Sequence, residues 1–305
     1  MLYLCQLISE ITNILVVAIL IKTCDNHLNT IEMAEYLSSN KKKITAPYFY
    51  EMKHNGEKIS WLTAYDYTTA AIIDQAGVDA ILVGDSASNV ADGNATTLPI
   101  TIEEMIYRAR SVARAANRAL VVCDMPFGSY QTTDDDGVRN AIRIMKETGA
   151  DAVKLEGGAE YVPMIRRIVN AGIPVCGHLG LTPQSVHQFG GYGLRANNEN
   201  EAEKLIADAK ALDEAGCFCI VLEKVPADLA GKVTKAVSCA TIGIGAGCKT
   251  DGQVLVYADM LGMNKGFRPK FLRQYADLHT IMTEAIGRYV ADVKSVEFPN
   301  NSESY

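Results

Sequence analysis

The feature that most constrains the fold is a repeated alternation of short apolar runs with longer amphipathic stretches. Each run is followed by a polar or glycine-rich turn and then by a helix-like segment, a pattern typical of βα units. The runs cover residues 60–65, 80–85, 120–124, 152–156, 173–178, 217–223, 240–245 and 253–257. Helices are predicted over residues 68–76, 102–116, 134–148, 160–171, 199–215, 227–237 and 270–293. Eight strands alternating with helices predict an α/β fold, a closed (β/α)8 TIM barrel.

The alternative architecture is an open, doubly wound sheet, which usually has fewer strands and often a glycine-rich fingerprint after the first one. Tyr65-Asp66-Tyr67 follows the first run and offers no such fingerprint. Hydrophobic residues make up 48% of the chain and aromatics only 7%, as expected for a parallel sheet buried on both faces. We therefore predict one barrel domain over residues 41–295, an N-terminal extension over 1–40 and a frayed tail over 296–305.

The N-terminal run Ile14–Ile21 is wholly apolar but too short to span a bilayer, which takes roughly 20 residues. No Lys or Arg precedes it, so it lacks the charged start of a signal peptide. Met33 is followed by a more ordinary sequence, which gives the hypothesis that translation begins there. Intact-mass measurement of the natively expressed protein tests this hypothesis, and a mature chain that begins at Met1 contradicts it.

Composition also limits the partners and the compartment. The formal net charge is −7, and no long basic run is interleaved with aromatic residues, so nucleic acid is not an expected partner. The eight cysteines form neither a paired framework nor a CxxC motif, which indicates reduced, mostly buried thiols. We expect a cytoplasmic protein with no membrane partner.

Four of the apolar runs end in a carboxylate, at Asp85, Asp124, Glu156 and Glu223, and Asp66 follows the first run. The carboxyl ends of parallel strands meet at one rim of a barrel, where active sites lie. A single acid after a strand is usually the N-cap of the next helix. Four acids at one rim, however, repel each other unless a cation or protons intervene.

The economical solution for these acids is a divalent metal. Oxygen ligands favour a hard ion, Mg²⁺ first, with Mn²⁺ or Co²⁺ as substitutes. Because Mg²⁺ keeps waters and substrate oxygens, Asp85, Asp124 and Glu156 need not all bind it directly.

Other polar residues lie at the same strand ends. Lys154 stands two positions before Glu156, so the period of two sends both side chains into the barrel. It is interpreted either as a structural ion pair with a neighbouring strand or as a cation for a substrate oxygen. His178 has the same two interpretations, a substrate or metal contact or a hydrogen-bonded structural residue. The spaced glycines of residues 243–247 indicate either anion binding or close packing.

At these residues the sequence resembles the ketopantoate hydroxymethyltransferase (3-methyl-2-oxobutanoate hydroxymethyltransferase) family. The matching segments occur in family order over roughly residues 41–295. They are Thr63-Ala-Tyr-Asp-Tyr67, Val83-Gly-Asp-Ser86, Thr97-Leu-Pro99, Asp124-Met-Pro-Phe127, Lys154-Leu-Glu-Gly-Gly158, Val175-Cys-Gly-His-Leu-Gly-Leu-Thr-Pro-Gln-Ser185, Gly190-Gly-Tyr192, Leu222-Glu223, Ile242-Gly-Ile-Gly-Ala-Gly247, Thr250-Asp-Gly-Gln253 and Pro269-Lys-Phe271. The chain departs from the family pattern at Gly193-Leu194-Arg195 and over its first 40 or so residues.

The resemblance implies a phosphoenolpyruvate mutase/isocitrate lyase-like barrel that assembles as a homodecamer. It implies transfer of a hydroxymethyl group from 5,10-methylenetetrahydrofolate to 3-methyl-2-oxobutanoate, giving 2-dehydropantoate for pantothenate and coenzyme A synthesis. It further implies one Mg²⁺ per subunit at Asp85, Asp124 and Glu156. Asp85, Ser86, Asp124 and Lys154 match the contacts of the keto acid, and Glu223 matches the general base.

Strand-end acids by themselves indicate metal-assisted enolisation, while the substrate and the folate donor depend on the resemblance. The nearest rival is a magnesium-dependent carbon–carbon lyase or phosphonomutase on a related barrel. Cys176-Gly177-His178 is faintly similar to the catalytic segment of isocitrate lyase, whereas its flanking residues fit the hydroxymethyltransferase better. A catalytically inactive barrel kept for assembly is the third alternative, and it has no need for so many acids at its mouth.

Overall fold

The structure, a computed structural model, describes residues 42–305. Eight parallel strands close into a barrel in which each strand pairs with its successor and the last pairs with the first. The strands are β1 (Ile59–Thr63), β2 (Ala80–Val83), β3 (Leu120–Asp124), β4 (Ala152–Lys154), β5 (Val175–Gly180), β6 (Cys219–Glu223), β7 (Ala240–Ile244) and β8 (Gly252–Leu255). The predicted (β/α)8 barrel is therefore confirmed.

Helices connect the strands around the outside. They are α1 (Ala46–Asn55), α2 (Tyr67–Gln75), α3 (Ala87–Val90), α4 (Ile102–Ala115), α5 (Asp134–Thr148), α6 (Val162–Asn170), α7 (Val186–Phe189), α8 (Glu199–Glu214), α9 (Ala227–Ala236), α10 (Tyr257–Met260) and α11 (Leu278–Ser295). Short 3₁₀ turns occur at Ala159–Tyr161, Pro183–Ser185 and Asn301–Glu303. Capping side chains fix several starts: Thr101 forms a capping box with Glu104, and Asn198 accepts a hydrogen bond from the backbone of Glu201.

Two apolar layers hold the barrel together. One lies between strands and helices, and the other fills the barrel interior down to its floor. Helix α1 closes that floor, because Phe49 is fully buried and meets Trp61 and Phe218 edge-on at centroid distances of 6.1 and 5.3 Å. Lys53 of α1 also donates to the backbone oxygens of residues 234, 237 and 239. The opposite end of the barrel, at the carboxyl ends of the strands, is not closed by α1 and is the place where a functional site is expected.

The last long helix begins later than the predicted limits of 270–293. Asp277 accepts a hydrogen bond from the backbone of Thr280 and so caps α11, whose first residue is Leu278. Before it, Tyr275 and Leu278 donate backbone hydrogen bonds to Met260 and Leu261, which hold residues 270–277 as an irregular segment near α10. The predicted helical start at residue 270 is therefore wrong, because these contacts replace helical hydrogen bonds.

The predictions for residues 1–40, including the apolar run at 14–21 and the alternative start at Met33, lie outside the described residues. The domain limits 41–295 and 296–305 stay predictions. Within residues 42–305, no helix combines the length and the apolar character that crossing a bilayer requires.

Candidate active site

The four strand-end acids line one cavity of about 560 Å³ at the carboxyl ends of the strands. Asp124 and Glu223 are the last residues of β3 and β6, while Asp85 and Glu156 lie two residues beyond β2 and β4. Lys154 and the other predicted contacts open onto the same cavity. The fifth acid, Asp66, instead caps α2 by accepting from the backbone of Thr69 at 2.9 Å, as the helix-cap alternative predicts.

On one side of the cavity, Asp124 pairs with a buried lysine and also holds the backbone of Asp85. Asp124 and Lys154 are register partners on β3 and β4, and Lys154 Nζ lies 2.7 Å from Asp124 Oδ1. Asp124 Oδ2 accepts the backbone N–H of Asp85 at 2.9 Å. Burial opposes the charge of Lys154, but Asp124, Glu156 and Asp85 outweigh it and raise its pKa. The ion-pair interpretation of Lys154 thus describes its contact, and its role toward a substrate stays a prediction.

On the other side, His178 lies between two glutamates. Its Nδ1 is 3.2 Å from Glu156 Oε1 and its Nε2 is 3.4 Å from Glu223 Oε2. Burial and Lys154 lower the pKa of His178, but its contacts with Glu156 and Glu223 outweigh them and raise it to about 9. The raised pKa favours the imidazolium form, which places a positive charge between the two glutamates. His178 Nε2 makes no hydrogen bond within residues 42–305, so its contact with Glu223 is an ion pair rather than a hydrogen bond.

Gln184 connects the two sides, and no role was predicted for it from the sequence. Its side-chain nitrogen donates to Asp85 Oδ2 at 2.9 Å, and its backbone N–H donates to Glu156 Oε2 at 2.9 Å. Its side-chain oxygen accepts from Tyr130 Oη at 2.7 Å and from Gln131 Nε2 at 2.9 Å. A glutamine buried in a 3₁₀ turn has no sequence signature of this kind, because its partners are as far as 99 positions away.

We expect Gln184→Met to lower the free energy of unfolding by about 1–3 kcal/mol, because it leaves the buried Asp85 carboxylate without its side-chain donor. Urea denaturation without added metal measures the change. The control is Gln188→Met on α7, an exposed glutamine whose replacement should stay within about 0.5 kcal/mol of the unmodified chain. Equal stabilities for the two variants would contradict the connecting role of Gln184.

The charges of the cavity fit a divalent cation. Burial, followed by repulsion from Asp124 and Glu156, raises the pKa of Asp85 well above its usual value, so a further positive charge there is favourable. Asp124 Oδ1 is buried and accepts no hydrogen bond within residues 42–305, although Lys154 Nζ is its ion-pair partner. Over the same residues, no three acids, histidines or cysteines converge as a ready-made metal site. A Mg²⁺ ion needs only one or two carboxylates beside waters and substrate oxygens, so the donors are adequate.

The remaining residues singled out in the sequence are Ser86 and the glycines of residues 243–247. Ser86 lines the cavity, and its Oγ lies 2.8 Å from Oη of the buried Tyr65. The glycines at 243, 245 and 247 each have a neighbour within 3.0 Å of the position that a Cβ would take. Close packing therefore accounts for them, and anion binding is not needed to explain them.

Known sequences align with this chain over the whole length of the barrel. The sequence model described as ketopantoate hydroxymethyltransferase matches residues 43–301. A protein of Bacteroides thetaiotaomicron called 3-methyl-2-oxobutanoate hydroxymethyltransferase is 61% identical over 273 residues, which is 90% of this chain and 100% of that protein. A protein of the same name from Flavobacterium johnsoniae is 64% identical over 264 residues, covering 87% of this chain and 97% of its own.

Comparison with solved structures shows the fold alone, because the identities are low. A 2,3-dimethylmalate lyase, a PEP mutase/isocitrate lyase superfamily member, has a TM-score of 0.53 at 18% identity and covers 70% of this chain and 81% of its own. A phosphonopyruvate hydrolase complex with oxalate and Mg²⁺ has a TM-score of 0.54 at 12% identity, covering 85% of this chain and 92% of its own. The barrel therefore has the same fold as these two enzymes, as the predicted phosphoenolpyruvate mutase/isocitrate lyase-like barrel requires.

Proposed function

The chain belongs to the ketopantoate hydroxymethyltransferase family, and we propose that it transfers a hydroxymethyl group from 5,10-methylenetetrahydrofolate to 3-methyl-2-oxobutanoate. The products are 2-dehydropantoate, a precursor of pantothenate, and tetrahydrofolate, with one water consumed. The observation that supports this chemistry best is the division of the acids. Asp85, Asp124 and Glu156 all act on the charge of Lys154, whereas Glu223 ends a different strand and lies across His178 from Glu156.

The acidic side of the cavity is the proposed metal and keto-acid site. Asp85, Asp124 and Glu156 would hold one Mg²⁺ per subunit, either directly or through water. When bound, the metal supplies a Lewis acid that stabilises negative charge on the keto oxygen. Lys154 contributes a buried positive charge for the substrate carboxylate, and the hydroxyl of Ser86 offers a donor in the same cavity.

Glu223 is the proposed general base. A C–H bond next to a ketone breaks heterolytically only if a base takes the proton while the electron pair moves to the keto oxygen. Glu223 ends β6 and its side chain is 17% exposed, so it reaches the cavity without being surrounded by water. The proton passes from C3 of the keto acid to Glu223, and C3 then forms the new bond to the one-carbon unit. The two C–N bonds of that unit to tetrahydrofolate break. The consumed water supplies the hydroxyl oxygen, and its two protons together with the one taken by Glu223 complete the two N–H groups and the hydroxyl of the products. His178 keeps the Glu223 carboxylate in place.

The proposal is tested by incubating the protein with 3-methyl-2-oxobutanoate, 5,10-methylenetetrahydrofolate and Mg²⁺ and measuring 2-dehydropantoate. Phosphonopyruvate and 2,3-dimethylmalate serve as rival substrates, because the fold is shared with enzymes named for them. Turnover of a rival substrate without formation of 2-dehydropantoate would reject the transferase proposal.

We also propose a homodecamer, supported by the exposed apolar side chains of α11. Ile281, Ile286 and Tyr289 are 57%, 58% and 57% exposed, and none of the residues of α11 is buried. An apolar helix left in water within one chain indicates a surface that another copy covers. Sedimentation equilibrium is expected to give an assembly larger than a dimer, and a monomer would contradict the proposal.

The cytoplasm is the proposed compartment. The described cysteines, at 123, 176, 217, 219, 239 and 248, are free, and all but Cys248 are buried. Unpaired, buried thiols are typical of a reducing environment, which supports a biosynthetic enzyme of the cell interior.

A further inference from the structure

The cavity that contains the strand-end acids is larger than a small keto acid requires. Its volume of about 560 Å³ falls within the range of roughly 300–1,000 Å³ that accommodates drug-sized ligands. Its floor is acidic, whereas its outer wall is formed mainly by apolar and aromatic side chains. Space therefore remains for a second, larger and partly apolar ligand above the acids.

Aromatic rings reach this outer wall from two segments. Phe267 and Phe271 come from the irregular segment between α10 and α11, and Tyr192 comes from the segment after α7. Gly245 makes room for Phe271: its φ is +64°, and a Cβ at this position would lie 3.0 Å from the ring. The pKa of Tyr192 is raised by burial and then by Asp85 and Glu223, which indicates that it lies close to the acids. Flat rings around a cavity favour a flat, stacking ligand.

A buried carboxylate on this wall has no role in the chemistry assigned above. Asp259 is 8% exposed and lines the cavity together with Asn264. Its Oδ1 accepts from Asn264 Nδ2 at 2.9 Å, and no donor within residues 42–305 is hydrogen-bonded to its Oδ2. Burial raises the pKa of Asp259, and the bond from Asn264 only partly offsets that effect. This oxygen belongs to a residue that lines the cavity and is available to a ligand that supplies donors.

We propose that Asp259 and Asn264 recognise the pterin ring of the one-carbon donor, an inference that rests on the proposed function. A pterin presents a ring N–H and an amino group side by side, and a carboxylate accepts both in parallel. The adjacent ring carbonyl is an acceptor for the second N–H of the Asn264 amide, whose first N–H goes to Asp259. The ring then lies among Phe267, Phe271 and Tyr192, with its one-carbon unit directed toward the acids.

The alternative is a purely structural role, in which Asp259 only stabilises the turn formed by residues 260–264. The substitution Asp259→Asn separates the two roles, because the new amide oxygen still accepts from Asn264 while the paired acceptor for the pterin is lost. We expect the KM for 5,10-methylenetetrahydrofolate to rise about 10- to 100-fold, the scale of one hydrogen bond to a charged group. Binding of 6-methyltetrahydropterin in the presence of the keto acid, measured by calorimetry, should weaken by a similar factor.

Exchange of the C3 hydrogen of the keto acid in deuterated water, measured without folate, is the internal reference. The rise in donor KM should exceed any loss of exchange rate by at least about tenfold, and the exposed Asp134→Asn variant should show neither change. Unchanged donor KM and pterin affinity, or an equal loss of exchange, would overturn the pterin assignment while leaving the enolisation chemistry intact. If the unmodified protein neither exchanges the hydrogen nor forms 2-dehydropantoate, the proposed function fails, and the pterin assignment fails with it.

Discussion

Replacement of Glu223 by glutamine is expected to slow exchange of the C3 hydrogen of 3-methyl-2-oxobutanoate with deuterated water by about 10²- to 10⁴-fold, the usual contribution of a general base. Glutamine keeps the size of the side chain but cannot take the proton. Proton NMR of the keto acid with Mg²⁺ and without folate follows the exchange directly. Because no carbon–carbon bond forms in this assay, the measurement isolates the base from the donor.

The matched control is Glu199→Gln, an exposed glutamate at the start of α8. Its exchange rate should equal that of the unmodified chain. The Glu223→Gln variant should also remain folded, since Glu223 is a partly exposed strand-end residue whose closest charged partner described above is His178 at 3.4 Å. Normal exchange in a folded Glu223→Gln protein would show that the base is another residue.

Replacement of Asp124 by asparagine is expected to weaken Mg²⁺ binding at least about tenfold. Even substitutions that only support metal ligands cost roughly 10- to 100-fold in affinity, so loss of a carboxylate that holds the metal directly or through water should cost no less. Isothermal calorimetry on the metal-free protein measures the affinity. The same substitution also removes a buried ion pair. In the unmodified chain Lys154 Nζ lies 2.7 Å from Asp124 Oδ1, and in the variant it faces a neutral amide. Breaking such a pair typically costs about 3–5 kcal/mol of stability.

Calorimetry must therefore be done below the unfolding temperature of the variant, which circular dichroism establishes. The exposed Asp134→Asn substitution on α5 is the control and should leave both metal affinity and stability near their original values. A folded Asp124→Asn protein with unchanged Mg²⁺ affinity would remove Asp124 from the proposed metal site. In that case the role of the Asp124 carboxylate would be to pair with Lys154.

Local sequence was sufficient for the barrel and for the position of its acids. The alternation of apolar runs with amphipathic stretches predicts parallel strands, and a parallel barrel brings every strand end to one rim. The period of two along a strand likewise places Lys154 on the inner face with Glu156. These conclusions need no knowledge of contacts, because they follow from chain geometry within a few residues. The helix start at residue 278 escaped prediction, since contacts with Met260 and Leu261 replace helical hydrogen bonds before it.

The contacts between these side chains follow from the fold and not from local sequence. The register of β3 against β4 pairs Lys154 with Asp124, and the closure of the barrel places His178 between Glu156 and Glu223. Gln184 joins Asp85 and Glu156 from a turn that no motif marks. Hydrogen bonds and charges act over a few ångströms, whereas these partners are 22 to 99 positions apart in the chain. The sequence by itself therefore determined the rim on which the chemistry lies, and the fold decided the partners of each acid there.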